Sequence, residues 1–76
     1  MPKLPAASGR DVIRALRRIG YEFLRQRGSH VTLINRETRR TIPVPVHGNR
    51  PLRTGTLRRI IRDAGLTVEE FTKLLE

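Results

Sequence analysis

The chain has 76 residues, with 16 basic and 7 acidic side chains and a formal net charge of +9 at pH 7. A chain this short folds as one domain, residues 1–76, and buries roughly 60% of its surface, which excludes a deep, enclosed catalytic cavity. It has no cysteine and only two histidines, which excludes disulfides, thiolate metal sites and a structural zinc site without carboxylates. No apolar run is long enough for a signal peptide or a membrane span, so we expect a cytoplasmic protein without a metal or small-molecule cofactor.

Most of the positive charge comes from arginine, which supplies 14 of the 16 basic residues. The planar guanidinium group matches phosphate oxygens two at a time, and a basic surplus on a small surface is typical of proteins that bind nucleic acid. A GC-rich genome would explain arginine in place of lysine, but it would not explain the excess of positive charge. The composition therefore favours a polyanion as the binding partner.

The first predicted element is a helix that follows an extended lead-in over residues 1–7. Ser8, with Asp11 three residues later, is typical of a helix start with a capping box. Apolar residues then recur at helical spacing as far as Ile19, and Gly20 is suited to the turn that ends the helix.

Three strands are predicted next, over residues 21–26, 30–35 and 41–46. The polar stretch between the first two is short enough for a hairpin. Strict alternation along the first strand puts Phe23 and Arg25 on the same face.

The third predicted strand contains Pro43 and Pro45, which cannot donate hydrogen bonds to a neighbouring strand. We therefore expect it at an edge of the sheet, with its prolines facing outward. Its apolar residues Ile42, Val44 and Val46 share the other face.

A second helix is predicted to start between Pro51 and Gly55 and to end at Gly65. Thr67 and Glu70 form a second capping box, which opens a short last helix. The order helix, three antiparallel strands, helix, short helix predicts a two-layer α+β sandwich whose helices cover one sheet face. The other sheet face stays open, which is a common way to present side chains to RNA.

The hairpin turn between the first two strands carries the residues best suited to chemistry. Gly28 permits a tight turn, Ser29 can donate and accept hydrogen bonds, and His30 can change protonation state near neutral pH. RNA supplies its own nucleophile, the 2′-hydroxyl, so its cleavage needs only an acid, a base and positive charge. His30 is therefore either a candidate acid and base, with Arg27 first among the arginines that would stabilise charge on the phosphate, or a half-exposed strand histidine beside a tight turn.

Short motifs along the chain together resemble a known family. They are Ser8-Gly9, Leu16, Gly20-Tyr21, Gly28-Ser29-His30, Pro45-Val46-His47-Gly48 and Gly55-Thr56-Leu57 with Ile60 and Ala64-Gly65. In this order and spacing the chain resembles, from about Ser8 to Leu75, the HicA toxins of bacterial and archaeal toxin–antitoxin modules.

The resemblance implies both a fold and an activity. The fold would be like that of the double-stranded-RNA-binding domain, and the protein would be a ribosome-independent, metal-independent mRNA endonuclease with a single catalytic histidine, His30. A HicB antitoxin would cover that site. Residues 31–34 lack the polar or aromatic side chains often found at this point in the family, which bears on the RNA sequence preferred.

Several candidate RNA-binding residues also have a simple structural explanation. Gly28 and Ser29 either contact phosphate or only shape the turn. His47 is a candidate RNA contact and second proton-transfer group, or else a solvated loop histidine. Further candidate phosphate contacts, or solvated charges at a hairpin tip, are Arg36, Arg39 and Arg40. The arginines of the second helix that face either RNA or the antitoxin are Arg58, Arg59 and Arg62.

Three classes of function follow from these observations: an RNase toxin, a non-catalytic RNA-binding module, and a DNA-binding regulator. The last would read DNA with the arginine-rich second helix. Gly55 near the start of that helix and the lack of a helix-turn-helix pair argue against the DNA-binding regulator.

Overall fold

The computed structural model describes residues 3–76. Its elements are α1 (Gly9–Arg17), β1 (Tyr21–Arg27), β2 (His30–Asn35), β3 (Arg40–Pro45), α2 (Thr54–Asp63) and α3 (Val68–Leu74). The strands form one antiparallel sheet in the order β1-β2-β3. This confirms the predicted α+β fold and its element order. Residues 3–7 of the predicted lead-in contain neither helix nor strand, whereas Met1 and Pro2 lie outside the described residues.

Helix α1 begins at the predicted capping box. The Ser8 backbone N–H donates to the Asp11 carboxylate over 3.1 Å, and the Asp11 N–H donates to the Ser8 hydroxyl over 3.2 Å. The Ser8 backbone N–H first, then the Ser8 hydroxyl and the nearby Arg14 guanidinium, hold the pKa of the Asp11 carboxyl below its ordinary value. The start of α1 is therefore fixed by groups that the sequence places three residues apart.

The core lies between the helices and one face of the sheet. Its sheet side is built from alternate residues of β2 and β3, which are Val31, Leu33, Ile42 and Val44. Helix α3 closes one end with Phe71, whose side chain is fully buried, and Arg18 of the turn after α1 donates to the carbonyl oxygens of Leu74 and Glu76. No helix in the described part of the chain is long and apolar enough to cross a membrane.

Strand β3 is an edge strand, as its prolines predict. Pro43 is exposed and lies opposite Thr32, while Val44 is buried opposite Val31. Because a proline nitrogen cannot donate to β2, it must point away from the neighbouring strand. The predicted outward orientation of the prolines is consistent with these positions.

Strand β1 contains an irregularity that its alternating sequence does not predict. Phe23 pairs with Leu33 and Arg25 pairs with Thr32, so Leu24 is an extra residue in the ladder. Such a bulge shifts the alternation of side chains by one residue. Phe23 therefore shares the face of buried Leu33, although it is 57% exposed, and Arg25 lies on the opposite face. The prediction that Phe23 and Arg25 share a face was wrong.

The start of α1 packs directly against the end of β3. A Cβ atom on Gly9 would overlap the carbonyl oxygen of Pro45 and lie 3.0 Å from Cγ2 of Val46. The loop before α2 is tied to the same region, because the Leu52 N–H donates to the Ala7 carbonyl oxygen over 2.8 Å. Three parts of the chain that are distant in sequence therefore meet at this end of the sheet.

Candidate active site

The turn between β1 and β2 is a two-residue hairpin loop, as predicted. Arg27 and His30 are direct cross-strand partners, with only Gly28 and Ser29 between them. Gly28 has φ of +59° while Ser29 does not have a positive φ, which matches a type II′ turn with glycine at its first central position. The Ser29 carbonyl oxygen accepts a 2.7 Å hydrogen bond from the Val46 N–H, so the turn is also joined to the chain beyond β3.

His30 lies on the open face of the sheet. Its neighbours in β2, Val31 and Leu33, are buried against the helices, and alternation puts His30 and Thr32 on the other side. The His30 residue is exposed. Its imidazole can therefore be reached from solvent without any movement of the core.

The bulge in β1 brings two arginines to the same face as His30. Arg27 lies directly opposite His30, and Arg25 lies opposite Thr32, both beyond the extra residue Leu24. Without that extra residue, both arginines would share the face of Phe23. Both are exposed, and the positive charge beside His30 therefore depends on the bulge.

His30 also forms part of a cavity of about 490 Å³ at this end of the sheet. The cavity is lined by His30, Pro45, His47, Arg50, Pro51, Leu52, Arg53 and Thr56. Pro45 is the cross-strand partner of His30, and the chain after it passes beside His30 before α2 begins. The cavity thus combines two histidines and two arginines with apolar walls.

Arg50 and Arg53 were not among the candidate site residues predicted from the sequence, and Thr56 was named only as part of the family resemblance. They lie 20 to 26 positions beyond His30 in a stretch with no chemical motif. The signal that could have found them is topological. In an antiparallel β2–β3 pair the end of β3 returns to the start of β2, so the loop after β3 must lie near His30.

The arginines of the β2–β3 turn lie at the opposite end of the sheet from His30. The length of β2 separates them from His30 by about 17 Å at ~3.3 Å per residue. The Arg36 guanidinium binds the Glu22 carboxylate over 2.8 Å, and Arg40 donates to the Asp63 carbonyl oxygen over 3.1 Å, while Arg39 is exposed. Their contact with RNA stays a prediction.

A larger cavity, of about 550 Å³, runs along α1 and is lined by Ile13 and four arginines. It contains no histidine or carboxylate, and an arginine does not release its proton in proteins. Of these two cavities, only the smaller one is lined by histidine. On α2, Arg58, Arg59 and Arg62 are exposed, and their partner stays a prediction. In the described residues, no group of three or more histidine, aspartate or glutamate side chains could hold a metal ion.

Comparison with known proteins identifies the family. A family model described as the HicA toxin of bacterial toxin–antitoxin matches residues 9–66. The match begins at the first residue of α1, includes all three strands and ends just after α2, so both the hairpin turn and the cavity fall within it. No curated protein matches the sequence. Since the family model covers well over half of the chain, this protein belongs to the HicA toxin family of bacterial toxin–antitoxin systems.

Proposed function

We propose that this toxin is an endoribonuclease that cleaves mRNA without a metal ion, with His30 as a catalytic residue. The whole chain, residues 1–76, acts as one domain in the cytoplasm, where its substrate is found. The observation that carries the proposal is the position of His30. It is exposed on the open sheet face, opposite Arg27, in the wall of a cavity that also contains Arg50 and Arg53.

The chemistry needs little from the protein because RNA contains its own nucleophile. The 2′-hydroxyl attacks the adjacent phosphorus when a base removes its proton, and the leaving 5′-oxygen departs when it receives one. An imidazole can accept or donate a proton near neutral pH. Arginines beside the phosphate, with Arg27 and Arg53 on two sides of His30, stabilise the charge of the five-coordinate phosphorus.

Binding of the rest of the RNA strand is the role we assign to the positive charge outside the cavity. With a net charge of +9, phosphate contacts and counterion release draw the strand onto the open sheet face. Gly28 and Ser29 offer backbone groups close to the phosphate beside His30. Contacts at the far end of the sheet come from Arg36, Arg39 and Arg40, which a strand can reach by crossing the length of β2.

The partner of the toxin is an antitoxin of the HicB type that covers His30. A toxin with an exposed reactive group and a strongly basic surface is neutralised most directly by an acidic surface placed over that group. The arginines of α2, Arg58, Arg59 and Arg62, are exposed and are available to such a partner.

The test compares the wild-type protein with His30→Ala on labelled single-stranded RNA, with and without EDTA. We expect cleavage by the wild type to be unaffected by the chelator and to be lost in His30→Ala, with the circular dichroism spectrum unchanged. RNA affinity should fall less than threefold, because arginines supply most of the binding. Phe23→Ala, on the other face of the same hairpin, is the control that keeps full activity.

Three results would reject the proposal. An active His30→Ala protein would rule out the catalytic assignment, and binding of RNA without cleavage by the wild type would favour the non-catalytic RNA-binding module. Preference for DNA over RNA of the same sequence would favour a DNA-binding regulator instead.

A further inference from the structure

We infer that His47 is a second catalytic residue of the RNA-cleavage reaction. The reaction needs two proton transfers, of which His47 performs one and His30, across the cavity, performs the other. This inference rests on the proposed function. In the proposed function alone, a single histidine, His30, would have to perform both proton transfers in turn.

The first support is the register of the chain beyond β3. The Val46 N–H donates to the Ser29 carbonyl oxygen over 2.7 Å, which continues the β2–β3 pairing by one residue past the pair of His30 and Pro45. His47 follows directly, at the start of the turn that the Arg50 N–H closes on the His47 carbonyl oxygen. This position brings His47 to the cavity that Pro45 and His30 also line.

The second support is that both histidines line the same cavity of about 490 Å³ and both are exposed. That volume accommodates a phosphate group with its adjoining sugar atoms between the two rings. The charged groups that face this space from the neighbouring loop are Arg50 and Arg53, with Arg27 on the other side of His30. All three charges are positive, which suits a bound phosphate.

The third support is the way in which His47 is held. Its carbonyl oxygen accepts a hydrogen bond from the Arg50 N–H over 3.1 Å, and the Leu52 N–H binds the Ala7 carbonyl oxygen over 2.8 Å. With the Val46 bond on the other side, backbone groups fix the loop on both sides of His47. These bonds set its position without using its imidazole, which is left for substrate.

The fourth support is the chemical composition of the cavity wall. Arg50 and Arg53 keep their protons at any physiological pH, and a threonine hydroxyl such as that of Thr56 is a poor acid and base near neutral pH. The remaining lining residues are proline and leucine. Of the described residues that line the cavity, only His30 and His47 can exchange protons at neutral pH.

The reaction balances with one neutral and one protonated imidazole. The neutral ring takes the 2′-hydroxyl proton as the 2′-oxygen forms its bond to phosphorus. The bond from phosphorus to the 5′-oxygen breaks, its electron pair stays on that oxygen, and the protonated ring supplies the proton. The products are a 2′,3′-cyclic phosphate and a 5′-hydroxyl end, and the two rings have exchanged protonation states.

The test uses a single-stranded RNA that the wild-type protein cleaves and a copy with sulfur in place of the leaving 5′-oxygen at the cleaved position. A thiolate leaves without being protonated, so the sulfur substrate no longer needs the acid. The proteins are the wild type, His30→Gln, His47→Gln and, as a control in the same loop but outside the cavity lining, Asn49→Ala. Circular dichroism checks that each variant is folded.

We expect His47→Gln to lower kcat on the oxygen substrate by about 10²–10⁴-fold, with the loss of one limb of the pH–rate profile, while Asn49→Ala behaves like the wild type. On the sulfur substrate, the variant that lacks the acid, whether His30→Gln or His47→Gln, should recover to within about tenfold of the wild-type rate. Either assignment supports the inference.

The inference is overturned if His47→Gln keeps kcat within about threefold of wild type. It is also overturned if the variant raises KM alone with both pH limbs intact, or if the sulfur substrate rescues neither variant; these results would make His47 a phosphate contact or a loop residue. In those cases cleavage by the wild type and its loss in His30→Ala would still support the proposed function. Absence of wild-type cleavage would reject both.

Discussion

Replacing Gly9 with alanine is expected to destabilise the protein, because α1 and β3 approach each other too closely there for a side chain. The new Cβ would overlap the Pro45 carbonyl oxygen and crowd Cγ2 of Val46 at 3.0 Å. Val46 is itself held by its hydrogen bond to Ser29, so the blocking backbone cannot simply turn away. The start of α1 and the end of β3 would have to separate.

The size of the effect follows from two opposing terms. Forcing extra atoms into a packed region costs about 1–3 kcal/mol, and the upper part of that range applies because the obstacle is backbone. Replacing glycine by alanine returns about 0.4–1 kcal/mol by restricting the unfolded chain. The net loss of unfolding free energy for Gly9→Ala should be about 2 kcal/mol.

Gly55 provides the matched control, since it also lies in the first turn of a helix. Apart from its chain neighbours and the backbone of its own helix, no atom of the described residues lies within 4 Å of a Cβ built on Gly55. Only the favourable term therefore applies, and Gly55→Ala should be more stable by up to about 1 kcal/mol. The two variants carry the same substitution and should shift stability in opposite directions.

The assay is urea and thermal unfolding followed by far-ultraviolet circular dichroism. A loss of 2 kcal/mol corresponds to a fall in Tm of about 8–16 °C for a domain of this size. If Gly9→Ala matched the wild type, or if both variants moved in the same direction, the close approach of α1 to β3 would not be limiting and the reasoning would be refuted.

Three further predictions concern other residues of the molecule. Because hydrogen bonds with Ser8 and the Arg14 charge keep the pKa of the Asp11 carboxyl below 3.8, its carboxylate stabilises the fold above that pH, and this contribution is lost as the pH falls through the lower, folded pKa. Asp11→Asn should therefore have a lower urea midpoint than the wild type at neutral pH, and this difference should shrink as the pH falls below 3.8; a pH-independent difference would contradict this. Phe71→Ala should lose about 3–5 kcal/mol of unfolding free energy, since its side chain is fully buried, whereas exposed Lys73→Ala on the same helix should change it by less than about 0.5 kcal/mol; similar midpoints would show that α3 is not part of the core. Finally, the double variant Arg36→Gln with Arg39→Gln should weaken RNA binding and leave kcat at saturating RNA unchanged. The slope of the logarithm of the binding constant against the logarithm of the salt concentration should become shallower by about 0.7 per lost phosphate contact; a fall in kcat alone would instead indicate that these residues act in the cleavage step.

Local features of the fold could be predicted from the sequence because a few neighbouring residues determine them. The Ser8–Asp11 and Thr67–Glu70 capping boxes both form as expected, since each needs only two residues three positions apart. The hairpin at Gly28 and the edge position of β3 follow equally from single residues with restricted or special backbone preferences.

Features that depend on pairing between distant segments could not be predicted in the same way. The extra residue Leu24 leaves no mark in an alternating pattern, because a bulge is a property of the β1–β2 register. The faces assigned to Phe23 and Arg25 were therefore wrong. Likewise, the cavity at His30 exists because the loop carrying Arg50 and Arg53 packs beside the end of β3, which no local pattern describes.

The prolines of β3 limit how this protein can associate with itself. With the nitrogens of Pro43 and Pro45 facing away from β2, the outer edge of β3 offers carbonyl oxygens but almost no hydrogen-bond donors, and the start of α1 lies against Pro45. A continuous fibril built by strand addition requires a complete set of donors and acceptors along both borders of every sheet. Of the two borders, only that of β1 has no proline. Strand addition between copies therefore ends with a pair, and a concentrated sample should contain no species larger than dimers formed in this way.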